Sequence, residues 1–206
     1  MNAAAKFEKL KDRKPSILGH EKLSKFAILL PLINIHNETH VLFEVRAMSL
    51  RRQPGEICFP GGKMDKSDMD ERQCAIRETT EELGIDESDI EDIIPLDILY
   101  SPNGNLIYPF AGKISDINKI TPNESEVGEI FTVPLSYLLT TKPEIHRVQL
   151  IVQPEEGFPY ELISGGENYQ WQRKKVEQYF YQYKGKVIWG LTARILCHFI
   201  ELLEQD

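Results

Sequence analysis

Along most of the chain, apolar residues fall in short runs divided by turn-forming residues, and in only a few stretches do they recur at helical spacing. FAILLPLIN, Phe26–Asn34, is too apolar and too short for an exposed helix, and predicts a buried strand. HNE then turns the chain into THVLFEVRA, Thr39–Ala47, a second strand. Ile93–Ser101 and Leu106–Ile114 predict two more, with Asn103-Gly104 as the turn between them. Glu129–Pro134 and His146–Gln153 follow, then a hairpin of Val176–Tyr183 with Lys186–Gly190 that turns at Lys184-Gly185. Near the C-terminus Leu191, Ile195, Leu196, Phe199, Leu202 and Leu203 mark an amphipathic helix. Ala3 to Lys11 reads as a short helix before Pro15, so residues 1–25 are expected as a helical extension and 26–206 as one domain. Hairpins exclude a purely parallel sheet. The expectation is a mixed α/β (α+β) architecture in which helices sandwich a mixed sheet.

The second helical stretch is chemically unusual. Ala75, Ile76, Thr79, Thr80 and Leu83 gather on one side, and Glu78, Glu81 and Glu82 crowd the other. Like charges three or four residues apart repel by a few tenths of a kcal/mol per pair, roughly. Asp68 with Glu71 reads as a capping box, and Gly84 stands where a left-handed residue ends a helix. A solvated helix face is the plain reading of such acids. Upstream, however, Phe59-Pro60-Gly61-Gly62 permits tight backbone geometry, and a glycine carbonyl such as that of Gly62 can approach a cation closely. Clustered carboxylates without a His or Cys set suit Mg²⁺ or Mn²⁺ rather than zinc.

Composition narrows the partners. The 206 residues carry a formal charge of −8, which argues against general nucleic-acid binding. No run of about 18 apolar residues is present, so no membrane span is expected. The N-terminal residues lack the apolar core of a signal peptide, and three cysteines without a C-x-x-C pair suit free thiols, so a cytoplasmic location is expected. An anionic substrate would then need a local basic patch or a metal ion.

GGKMDKSDMDERQCAIRETTEELGI, Gly61–Ile85, resembles the Nudix box, G-x5-E-x7-R-E-U-x-E-E-x-G-U, with U a bulky aliphatic residue. Gly62, Arg77, Glu78, Glu81, Glu82, Gly84 and Ile85 match; Asp68 replaces the first Glu, one residue is inserted before Arg77, and Thr79 takes the first U. The resemblance implies a Nudix-type α/β/α sandwich and metal-dependent hydrolysis of a nucleoside diphosphate linked to another group. It implies Glu78 and Glu82 as principal metal ligands, with Gly62 supplying a carbonyl. Glu81 would be a further ligand or would orient water, and Arg77 would hold it in place. A later acid often completes such sites; among Glu124, Glu126 and Glu129, Glu126 is the choice.

RAMSLRRQPGEICFPGG, Arg46–Gly62, is similar to the further motif of the coenzyme A pyrophosphatase subfamily, R-[SA]-x3-R-x3-G-x3-F-P-G-G. Its usual lead-in, L-L-T-x-R, is here Leu42-Phe43-Glu44-Val45-Arg46. That resemblance implies coenzyme A or a derivative as a small-molecule substrate, cleaved to 3′,5′-ADP and 4′-phosphopantetheine or its acyl form. Arg46, Arg51, Arg52 and Lys63 form the basic group expected to bind its phosphates, including the 3′-phosphate. Trp189 and Tyr108 are expected as buried aromatic packing, with stacking on adenine or pantetheine as the alternative. ADP-ribose hydrolysis and a non-catalytic nucleotide sensor are the alternative readings, and the oligomeric state, monomer or homodimer, stays open.

Overall fold

A computed structural model describes residues 7–8 and 11–205; most of the helix expected over Ala3–Lys11 lies outside the described residues. Strands β1 (Ser24–Ile35) and β2 (Glu38–Arg46) form a hairpin, followed by the short β3 (Ile57–Cys58) and β4 (Gly61–Lys63). Helix α1 (Glu71–Leu83) comes next, then β5 (Ile90–Pro95), β6 (Leu99–Tyr100) and β7 (Asn105–Ile114). The chain continues through β8 (Val127–Pro134), α2 (Leu135–Thr140), β9 (Glu144–Leu150), β10 (Lys174–Tyr183), β11 (Lys186–Trp189) and α3 (Gly190–Leu203).

Among the described residues eight strands form one sheet around the path β3-β2-β1-β7-β5, with β4 on β1, β6 on β7 and β8 on β2. β1 and β7 run parallel over ten residue pairs, from Ser24↔Asn105 to Ile33↔Ile114, while β2 and β4 pair with β1 antiparallel. The sheet is therefore mixed, as expected. A second sheet, β11-β10-β9, is antiparallel.

Strand alternation builds two cores. Ala27, Leu29, Ile33, Leu42, Phe110 and Ile114 turn to one face and meet Cys74, Ala75, Ile76 and Leu83 of α1. Leu30, Val41, Phe43, Ile107 and Ala111 turn to the other and meet Ala193, Ile195, Leu196 and Phe199 of α3. Each fully buried Leu, Ile or Phe stabilises the layers by about 1.5–3 kcal/mol. The α/β/α sandwich follows directly.

Three local expectations differ. The strand expected over Ile93–Ser101 breaks at Leu96–Ile98 into β5 and β6, and β9 stops at Leu150 rather than Gln153. The helix cap is Asp70, whose carboxylate accepts from the Gln73 N–H at 2.8 Å. Asp68 lies outside the helix and is engaged by Arg77 instead.

Candidate active site

Helix α1 is fixed at both ends. Lys25 of β1 pairs with Glu71 at 2.9 Å and lies over the Tyr108 ring, which locks the first turn to the sheet. At the far end Gly84 adopts φ 62°, donating its N–H to the Thr80 carbonyl. Beyond it Thr121 N–H and Asn123 N–H donate to the carbonyls of Leu83 and Glu82, both at 2.9 Å. Asn123 in turn receives the Glu126 N–H at 2.9 Å, and the Glu126 carbonyl receives the Ala47 N–H at 2.8 Å. This staples the loop carrying Glu126 between the end of α1 and the end of β2.

The glycine loop runs alongside the helix. β4 pairs Ala27↔Gly62 and Ile28↔Gly61 with β1, and the Gly61 N–H donates to Glu82 Oε2 at 2.8 Å. Gly62 lies directly beneath Glu78: a Cβ there would stand 2.3 Å from the carboxyl carbon. Only the smallest residue allows this approach.

Arg77 binds three carboxylates. Its Nε and Nη2 donate to Asp68 at 2.8 and 3.0 Å, Nη2 lies 2.9 Å from Glu78 Oε1, and Nη1 reaches Glu81 Oε2 at 3.2 Å. These hydrogen bonds hold the Asp68 carboxyl down at about 2. Glu82 is buried rather than projecting with Glu78 and Glu81 from the side opposite the apolar residues, and burial raises its carboxyl to about 7, aided by Glu78 and Glu126 and opposed by the Gly61 N–H. Glu78 is raised chiefly by burial, with Arg77 opposing. Glu81 and Glu126 are exposed.

The sequence reading did not single out Glu44. It lies on β2 two residues after Leu42, on the α1 side, and is 1 % exposed. Burial, then the charge of Glu82, raises its carboxyl well above the ordinary range, with Arg46 opposing and Glu126 adding. Its Oε1 has no hydrogen-bond partner among the described residues. The available signal was the parity of an acid within an apolar strand.

The NUDIX domain profile matches residues 26–157. The chain belongs to the Nudix family. It is 36% identical over 140 residues to the Mus musculus protein named peroxisomal coenzyme A diphosphatase NUDT7, covering 68% of this chain and 58% of that protein. The chain thus spans little more than half of that relative's length. It is 31% identical over 184 residues to the Nudix hydrolase NudL of Pectobacterium atrosepticum, itself uncharacterized, covering 88% of this chain and 84% of that one. A MutT/nudix family protein from Enterococcus faecalis superposes with a TM-score of 0.51 at 14% identity, covering 100% of this chain and 76% of that one, which shows the fold. The resemblance to the coenzyme A pyrophosphatase subfamily is borne out by the first of these matches.

Within this Nudix fold the expected basic group is divided. Arg46 is half-buried and faces Glu44, Glu82 and Cys58, and its Nε has no acceptor among the described residues. Its positive charge opposes the raised carboxyls of Glu44 and Glu82. Arg51 and Arg52 are exposed on the loop between β2 and β3, and Lys63 is exposed on β4. Trp189 is 42% exposed, against the expected buried packing, and stacks on Phe180 at 5.9 Å. With Val45, Pro54, Gly55, Ile57 and Lys186 it lines a cavity of about 330 Å³. Of the later acids, Glu129 pairs with Lys186 at 2.6 Å, and Glu126 is the one whose charge acts on Glu44, Glu78 and Glu82. Cys58 stays a neutral thiol, pushed up to about 12 by burial. Among the described residues no helix is long and apolar enough to cross a membrane.

Proposed function

We propose that this Nudix hydrolase cleaves the diphosphate of coenzyme A or a derivative, with Mg²⁺ or Mn²⁺, to 3′,5′-ADP and 4′-phosphopantetheine or its acyl form. The observation that carries the reading is that Glu82 and Glu78 lie against the Gly61-Gly62 backbone with the charge of Glu126 acting on both, in the family whose hydrolases generally use divalent metal ions. The residues fit such an ion. The donors at hand are carboxylate and backbone oxygens, burial has raised two of the helix acids, and the Gly61 N–H, Arg46 and Arg77 offset them. Among the described residues no three acid, His or Cys side chains already form a ready cage, so side-chain adjustment accompanies binding.

Glu78 and Glu82 would hold the ion, with Gly62 contributing its carbonyl and Glu81 as a further ligand or the group that orients water. When bound, the ion supplies charge neutralisation for the diphosphate and for the leaving oxygen. Arg77, anchored on Asp68, keeps Glu78 and Glu81 at fixed positions through charge-assisted hydrogen bonds. Glu81 and Glu126, exposed at the rim, are the groups available to take a proton from attacking water. Arg51, Arg52 and Lys63 supply accessible cations for the phosphates. Three free thiols suit a reducing compartment, the cytoplasm among them.

An ADP-ribose hydrolase would share the carboxylates without needing the Arg46–Gly62 arrangement, and a non-catalytic module would tolerate loss of Glu78, Glu81 or Glu82, all present here. Product analysis after incubation with coenzyme A, dephospho-coenzyme A and ADP-ribose, with Mg²⁺ or Mn²⁺, tests the reading. Release of 3′,5′-ADP from coenzyme A is expected. Turnover of ADP-ribose alone would replace the substrate, and no turnover of any diphosphate would favour the sensor.

A further inference from the structure

We propose that Glu44 is a ligand of the metal centre, holding the divalent cation from the sheet side while Glu78 and Glu82 hold it from the helix side. The inference rests on the metal-site reading above and adds a residue outside the Nudix box. Leu42 packs against α1, so Glu44, two residues further along β2, emerges on the same face. There it meets Glu82, which reaches over from α1, and Glu126, whose loop is tied to both elements.

A carboxylate this buried needs a partner, because desolvation without compensation is costly. Glu44 is 1 % exposed, yet its Oε1 has no donor among the described residues. The cation at hand in the protein is Arg46, but the buried Nε of Arg46 also lacks an acceptor. A Glu44 that served only to pair with Arg46 would accept that N–H. Cys58, opposite Glu44 in the β2–β3 ladder, is a neutral thiol and offers no charge. Arg46 is thus the one cation whose charge acts on both Glu44 and Glu82, while Glu126 adds a further negative charge beside them. A hard divalent cation answers all of these groups together.

The test is titration of the metal-free full chain with Mn²⁺ alone, by calorimetry, for wild type, Glu44→Gln and Glu82→Gln, alongside metal-free melting curves. Glu44→Gln should weaken Mn²⁺ binding about tenfold or more, with a metal-free melting temperature no lower than wild type. A merely structural Glu44 would do the reverse, lowering the melting temperature and leaving Mn²⁺ affinity unchanged, and that result overturns the proposal. If Glu82→Gln weakens binding and Glu44→Gln does not, this inference alone fails. If neither variant changes binding, the metal-site reading fails with it. Should Glu44→Gln not fold, Glu44→Asp, which keeps the charge but shortens its reach, decides by the same readout: weaker Mn²⁺ binding supports the proposal and unchanged binding overturns it.

Discussion

Asp68 and Arg77 are joined by two hydrogen bonds, Nε to Oδ1 at 2.8 Å and Nη2 to Oδ2 at 3.0 Å. That grip sets the plane of the guanidinium, and the plane sets where Glu78 and Glu81 are held. Asp68→Asn keeps the shape but removes the charge and one acceptor. Turnover should fall roughly 10- to 100-fold, the range for groups that orient a metal ligand, with KM little changed. Arg77→Lys should behave alike, because it keeps the charge and loses the planar fork. Steady-state kinetics on variants of unaltered circular dichroism provide the check. A change confined to KM would put Arg77 on the substrate instead.

The metal-free protein should lose stability as the pH rises through neutrality. Burial lifts the Glu82 carboxyl from 4.5 to about 7 in the folded chain. Between those values the folded state holds a proton that the unfolded chain gives up. Stability is therefore fully present below 4.5 and falls as the pH passes 7. Glu44, raised in the same direction, adds the same sign. Urea midpoints at pH 5 and pH 8 should show the metal-free wild type weaker at pH 8, with the gap reduced in Glu82→Gln. An equal gap in the variant would remove Glu82 as its source.

Gly62→Ala should damage the site more than the fold. Its Cβ would stand 2.3 Å from the Glu78 carboxyl carbon, so the carboxylate must swing away. Overpacking of this kind costs about 1–3 kcal/mol when the neighbour cannot move, and less here because Glu78 is the movable end of a side chain. The variant is expected to fold, melt within a few degrees of wild type and lose most of its turnover. Wild-type rates would show that Glu78 need not rest on the glycine.

Much of this architecture was legible because short apolar runs bounded by turn residues mark Phe26–Asn34, Thr39–Ala47 and Leu106–Ile114, each of which became a central strand. Gly84 announced the helix end because a residue at φ 62° favours glycine. The cap was misplaced because Asp68 and Asp70 both precede the helix, and sequence spacing does not reveal that Arg77 claims the first. β3 and β4, two and three residues long, are too short for periodicity to register. Glu78, Glu81 and Glu82 stood out through a motif. Glu44 did not, since a single acid in an apolar strand gains its meaning from Glu82 across the layer. The division of Arg46 from Arg51 and Arg52 was equally hidden, because it depends on which residues face the sheet and which ride on the loop.

The central claim is that coenzyme A is the substrate, and the ratio of kcat/KM for coenzyme A to that for dephospho-coenzyme A and for ADP-ribose tests it most directly. If the exposed arginines Arg51 and Arg52 meet the 3′-phosphate, one charge-assisted contact is worth about 1.5–3 kcal/mol, or roughly ten- to a hundredfold in that ratio. Arg51→Ala should then shrink the preference by slowing coenzyme A while leaving the dephospho form nearly unchanged, whereas Glu82→Gln should slow both alike. The account predicts coenzyme A ahead of both competitors in the wild type. A clear preference for ADP-ribose over both coenzyme A forms would contradict it.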